Sequence, residues 1–279
     1  MPLHLSQVAS KLSQDEEFGF WVSQNSEAIS YPDSGNSHCA DVEADSFWFR
    51  HRNEVLISLL RRYTPPGVLF DIGAGNGFVS LGFEQAGFET VVVEPGRQGA
   101  MAARRRGHPR VICATLESAG FKDQSLPAVG IFDVLEHIED HQGFLKSIRK
   151  KMVPDGRIYV AVPAYNLLWS QDDVYAQHYR RYSRRSLSAV LRDAGFEVEF
   201  SSYFFWFLPL PVLLTRTIPS MFGHQREMTA DEVKKDHSPF DGGLFNRLLH
   251  RCLALELAVL KAGSSVPIGS SCVAIARAR

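Results

Sequence analysis

The chain has 279 residues, 45% hydrophobic and 22% charged, enough to close one sizeable core and too apolar for disorder. Thirty basic against 31 acidic side chains leave a formal charge of -1, so no overall positive field draws in nucleic acid and no such partner is expected. Cys39, Cys113, Cys252 and Cys272 lie far apart with no C-x-x-C pair, which argues against a zinc site or a disulfide scaffold and fits a reducing cytoplasm.

Residues 1–50 read as a polar, irregular cover segment ending in Phe47-Trp48-Phe49, with no basic-then-apolar leader at its start. Positions 51–63 carry Val55, Leu56, Leu59 and Leu60 on one face and predict a helix. A repeated strand, glycine, helix pattern follows to residue 200. Strands are expected at 68–70, 90–93, 111–113, 128–132, 157–162 and 197–200. Between them lie helices that stop at Gly87, Gly107 and Gly195, and a helix over 139–152 that Pro154-Asp155-Gly156 turns into the fifth strand. Ser183 caps the helix that bears Leu187, Val190 and Leu191. The pattern predicts an α/β fold with a doubly wound, mainly parallel sheet.

Residues 201–266 form an apolar insertion before the last strand, read at 272–276 within a closing segment 267–279. The insertion holds an aromatic run with Phe204, Phe205, Trp206 and Phe207, a charged loop at 224–237 and an apolar helix at 244–262. Its uncharged stretch, 200–215, contains Pro209 and Pro211 and is shorter than the roughly 20 residues of a spanning helix. A lid, a homodimer contact or a peripheral membrane contact are the three duties such a surface can serve.

Chemistry concentrates after the strands. The first ends in Asp71-Ile72-Gly73-Ala74-Gly75-Asn76-Gly77. Its G-x-G-x-G spacing differs from the G-x-G-x-x-G dinucleotide fingerprint, which needs glycine where Phe78 stands, and from a P-loop, since no Gly-Lys-Ser or Gly-Lys-Thr follows. Glycines let a backbone approach a ligand without phosphate, and the carboxylate before them can meet a cation. Glu94 ends the second strand about 20 residues on, where an acid can accept hydrogen bonds from ribose hydroxyls.

With Asp133-Val134-Leu135-Glu136-His137 after the fourth strand, the turn resembles the cofactor motifs of the class I S-adenosylmethionine-dependent methyltransferases, in particular their small-molecule and quinone-precursor branch. The resemblance covers about residues 47 to 200 and implies a seven-stranded Rossmann-like sheet, with residues 51–200 as the cofactor-binding core. It also implies that S-adenosylmethionine is held by Asp71, Gly73, Ala74, Gly75, Gly77, Glu94 and Pro95. Asp133 and Val134 would line the methionine end, and Leu116 and Glu117 border the adenine. Leu126-Pro127 departs from the Phe-Asp usual at the start of the fourth strand, which implies a reshaped strand edge.

The implied reaction is methyl transfer, with O-methylation foremost, to a small-molecule, glycan or lipid-linked acceptor. In-line displacement from a sulfonium requires no metal and none is expected. A base of near-neutral pKa helps a hydroxyl acceptor, and the candidates are His137 and His178. Tyr179, Arg181 and Tyr182, beside His178, are expected to bind the acceptor, and Arg50 to reach the cofactor carboxylate. The rival readings are an NAD-dependent oxidoreductase and a catalytically inactive cofactor-binding scaffold that acts through the insertion. The expected location is cytoplasmic, free or membrane-associated.

Overall fold

The computed structural model describes residues 4–23, Glu43, 46–222 and 243–279; the charged loop read at 224–237 and Cys39 lie outside these. A single helical turn (Leu5–Val8) precedes a hairpin of β1 (Leu12–Asp15) and β2 (Phe20–Ser23), which is followed by helix α1 (Phe47–Arg62). Alternation then runs through β3 (Leu69–Ile72), α2 (Phe78–Gln85), β4 (Thr90–Val93), α3 (Arg97–Arg105), β5 (Val111–Cys113), β6 (Leu126–Phe132) and α4 (His141–Lys151). It continues through β7 (Met152–Pro163), α5 (Arg184–Asp193) and β8 (Phe196–Phe204), and α6 (Leu244–Lys261) and β9 (Ser271–Ala278) close the chain.

One sheet has the order β1-β2-β5-β4-β3-β6-β7-β9-β8. The strands from β2 to β7 in that order are parallel, β9 lies antiparallel between β7 and β8, and β1 is antiparallel at the far edge. The seven strands β3 to β9 form the doubly wound sheet that the alternation predicts. The hairpin adds two strands where the sequence reads as irregular cover. Its polar outer strand hides the pattern, but the turn is chemically marked: Asp15 Oδ1 accepts from the amides of Glu17 and Phe18, and Gly19 takes φ +68°.

The central strands Leu69-Phe70-Asp71-Ile72 and Thr90-Val91-Val92-Val93 are buried at every position, as strands covered on both faces require. Alternation along β7 sorts the two layers: Ile158, Val160 and Val162 face α4 and α5, while Tyr159 and Ala161 face α1, α2 and α6. The pairing of β6 with β7 slips between Leu126 and Ala128, where the partner advances from Met152 to Arg157, so Leu126-Pro127 does mark an irregular strand edge. The insertion is woven into the second layer. Phe204 and Phe205 are fully buried, and α6 packs on α1 through Leu249, Leu253 and Leu260. Buried Glu256 accepts from His51 of α1 and from the amides of Phe205 and Trp206, at 2.8 Å each. Among the described residues no helix is long and apolar enough to cross a membrane.

Candidate active site

The chain leaves β3 toward β4 on one side of the sheet and later returns to β6 on the other, so the carboxyl ends of β3 and β6 flank the topological switch point where open α/β sheets take their ligands. Gly73, Gly75 and Gly77 all adopt positive φ there. A Cβ at Gly73 would stand 2.7 Å from Val134 Cγ2, and one at Gly77 would stand 2.6 Å from His108 Nε2, so both positions exclude a side chain. The fully buried His108 fixes the loop by donating from Nε2 to the Gly77 carbonyl at 2.8 Å, with Glu84 3.1 Å from its Nδ1. His108 escaped the sequence reading because nothing in its local context distinguishes it.

Glu94 turns into this loop from the end of β4. Its Oε2 accepts from Gly75 N and its Oε1 from Gly96 N, each at 2.8 Å. Ala74 is half-buried in the loop, and Pro95, also half-buried, follows Glu94. Asp71 has a different setting from the one expected: it lies beneath the loop, 1% exposed, and accepts a 2.7 Å hydrogen bond from Ser80 of α2. Burial pushes its carboxyl up to about 6, against the Ser80 hydrogen bond and the charges of Arg52 and His108. After β5, Leu116 is buried in the core, while Glu117 is exposed and accepts from Ser147 Oγ.

Asp133 follows β6 at φ +56° and pairs with Arg52 of α1. Arg52, not Arg50, turns inward. Its guanidinium lies over the rings of Trp48 and Phe49, and its Nε is buried with no hydrogen-bond partner among the described residues. Arg50 is exposed and borders a separate cleft along α1 and α2.

The two histidines come together. The His137 and His178 ring centroids are 4.6 Å apart, and Asp173, fully buried, accepts from His178 Nδ1 at 2.8 Å and from Arg181 Nε and Nη2 at 2.7 and 2.9 Å. Burial raises Asp173, but the hydrogen bonds from His178 and Arg181 together hold it below its ordinary value. Burial, with the nearby His178 charge, lowers His137 to about 4. Glu136, 1% exposed, is raised well above the carboxylate range by burial and by Asp133. Sequence reading passed over both Glu136 and Asp173. Tyr179 is half exposed, its amide donating to the Glu136 carbonyl at 2.8 Å. Tyr182 lies in the core, 2% exposed, its hydroxyl 2.7 Å from His141 Nδ1, and burial pushes its phenol up. It therefore anchors the loop from below.

A cavity of about 920 Å³ opens beside these groups, walled by Trp48, Phe49, Phe207, Leu208 and Leu249, with Arg181 among its polar residues. The aromatic run thus supplies a wall as well as core: Phe207 lines the cavity while Trp206 is 42% exposed.

A family described as Methyltransferase domain matches residues 48–200. A protein of Mycobacterium tuberculosis, named a probable S-adenosylmethionine-dependent methyltransferase, is 26% identical over 167 residues, which cover 58% of this chain and 60% of that protein. A protein of the same description from Mycolicibacterium smegmatis is 25% identical over 172 residues, covering 60% of this chain and 66% of that one. The chain therefore spans less than two thirds of the length of these relatives. Among solved structures, an S-adenosylmethionine-dependent methyltransferase of Thermotoga maritima superposes with a TM-score of 0.55 at 15% identity, over 88% of this chain and 96% of that one. Phosphoethanolamine N-methyltransferase 2 of Haemonchus contortus, in complex with S-adenosyl-L-methionine, gives 0.53 at 16% identity, over 89% and 58%. At these identities the structural likeness is one of fold.

Proposed function

The chain belongs to the class I S-adenosylmethionine-dependent methyltransferase family, and we propose that it transfers a methyl group from that cofactor to a hydroxyl of a small, partly apolar acceptor. The observation that carries this reading is the Glu94 carboxylate, which is drawn onto the glycine loop by two backbone amides. From the end of β4, beside the glycines, a carboxylate is placed where it can accept hydrogen bonds from ribose hydroxyls. The residues fit the cofactor in two further respects. The loop excludes side chains where Val134 and His108 approach, and the unpartnered Nε of Arg52 suits the carboxylate of a methionine moiety.

When bound, S-adenosylmethionine supplies the methyl group on a sulfonium that already carries the driving force. The protein's task is alignment. Gly73, Gly75, Gly77 and Glu94 hold the nucleoside side, and Arg52 with Asp133 and Val134 the amino-acid side. The Glu136, His137 and His178 cluster is where the acceptor oxygen is activated, with Asp173 and Arg181 holding His178 in place. The aromatic cavity takes the apolar part of the acceptor. Leu210, Leu214 and Met221, exposed along the helical stretch that forms one wall, suit an acceptor with a lipid tail.

Calorimetry with S-adenosylhomocysteine tests the cofactor side. The wild-type chain is expected to bind, and Glu94→Ala at least about tenfold more weakly, because hydrogen bonds to a charged group contribute about 1.5–3 kcal/mol each. Absence of wild-type binding sinks the reading. Transfer of labelled methyl to a lysate tests the acceptor side: partition of the label into organic or aqueous phase separates a lipid-linked from a water-soluble acceptor. His178→Ala is expected to lower transfer about a hundredfold or more while S-adenosylhomocysteine affinity is kept.

A further inference from the structure

We propose that Glu136, His137 and His178 bind a divalent transition-metal ion. The sequence gives no metal signature, because the three residues come from two segments. Glu136 and His137 sit in the single turn Leu135–His137 after β6, and His178 lies 41 positions on, in the loop between β7 and α5. The fold joins the segments through the Tyr179 amide, which donates to the Glu136 carbonyl at 2.8 Å. One ligating atom from each of the three side chains then lies within 4.8 Å of the others. Ligand bonds of about 2.0–2.2 Å put neighbouring donors roughly 3–3.6 Å apart around a tetrahedral ion, so small side-chain rotations close the site.

Three observations point to a ligand and not merely to a polar cluster. Glu136 is 1% exposed, yet its Oε2 has no hydrogen-bond partner among the described residues, an expensive state for a buried carboxylate unless something cationic meets it. His178 donates from Nδ1 to Asp173, which leaves Nε2 as its donor to an ion. The His137 ring is hydrogen-bonded to the backbone of Ala176. Histidines that ligate metals typically give their second ring nitrogen to a carboxylate or a backbone carbonyl, which fixes tautomer and orientation, and both partners are in place here. Asp173 is itself locked by Arg181 and by the amide of Ser170 at 2.9 Å.

Two imidazoles and one carboxylate favour zinc, manganese, iron or cobalt over magnesium or calcium, which take oxygen donors. Three protein ligands also leave coordination positions open, as in catalytic and not structural sites. An acceptor oxygen can occupy one of them. That role rests on the methyl-transfer reading above; occupancy by the ion does not.

The test is titration of the chelator-treated full chain with Co²⁺ alone, read by visible d–d absorption and by calorimetry. One ion per chain is expected, with Zn²⁺ competing for it. Glu136→Gln and His178→Ala should abolish the absorption band, Asp173→Asn should weaken Co²⁺ binding about 10–100-fold as loss of an outer-shell partner does, and His250→Ala, on the exposed face of α6, should bind as wild type. Thermal unfolding establishes that each variant is folded. No uptake by the wild-type chain, or uptake unchanged in both Glu136→Gln and His178→Ala, overturns the proposal. Either result leaves the S-adenosylhomocysteine measurement to judge the cofactor site separately.

Discussion

Asp71 and Arg52 show what a single residue's surroundings decide. Asp71 stands before the glycines, where its charge reads as a cofactor contact, but the loop folds over it and Ser80 takes its carboxylate. Its folded pKa of about 6 lies above the ordinary 3.8, so the folded state binds the extra proton in that window. Its stabilising contribution is full below the ordinary value and is lost as pH rises through about 6. At about 1.4 kcal/mol per unit, the loss is on the order of 3 kcal/mol. Urea unfolding of wild type and Asp71→Asn is expected to show the wild type losing that much relative to the variant between about pH 4 and pH 7. Parallel curves would refute it. Arg52 was legible in principle. On a helix it shares a face with Leu56 and Leu59, whereas Arg50 shares one with Glu54 and Ile57, so period alone separates the inner arginine from the outer.

Among the elements, α6 illustrates how an insertion becomes structure. Its apolar pattern was readable, and so was its oddity: Glu256 sits in Leu253-Ala254-Leu255-Glu256-Leu257-Ala258, a charge within an apolar run. Its partners were not readable, because His51 lies 205 positions earlier and the other two donors are backbone amides at Phe205 and Trp206. Phe205 holds φ +60°, a rare conformation for a bulky residue, and the carboxylate secures it. Glu256→Ala leaves those buried donors unsatisfied and is expected to cost on the order of 3 kcal/mol or more in chemical denaturation. A change under 1 kcal/mol would show that the turn is held by packing alone. Elements whose partners are close in sequence, such as α5 with its Ser183 cap, were foreseen correctly for the same physical reason.

At the scale of the whole molecule, the parallel sheet and its switch point follow from alternation that any local window carries, and the glycine turn with Glu94 follows from spacing within one β-α-β unit. The acceptor side does not. Its cavity is assembled from α1, the end of β7, Arg181, the stretch after β8, α6 and the start of β9, six segments whose meeting depends on the completed fold. The metal-ligand cluster has the same origin, which explains why His137 and His178 read as two separate candidates.

The hairpin at the sheet's margin has a consequence for solution behaviour. A parallel strand such as β5, left at the margin, would offer its unpaired amides and carbonyls as a template to neighbouring molecules. β2 occupies that row, seated by fully buried Phe20 against Val92 and Ala103, and β1 outside it is only four residues long and ends in Asp15. Uprooting the hairpin with Phe20→Asp is expected to turn a clear solution turbid on mild warming, with light scattering rising before bulk unfolding. The protecting strands belong to the stretch that looked least like structure when read as letters.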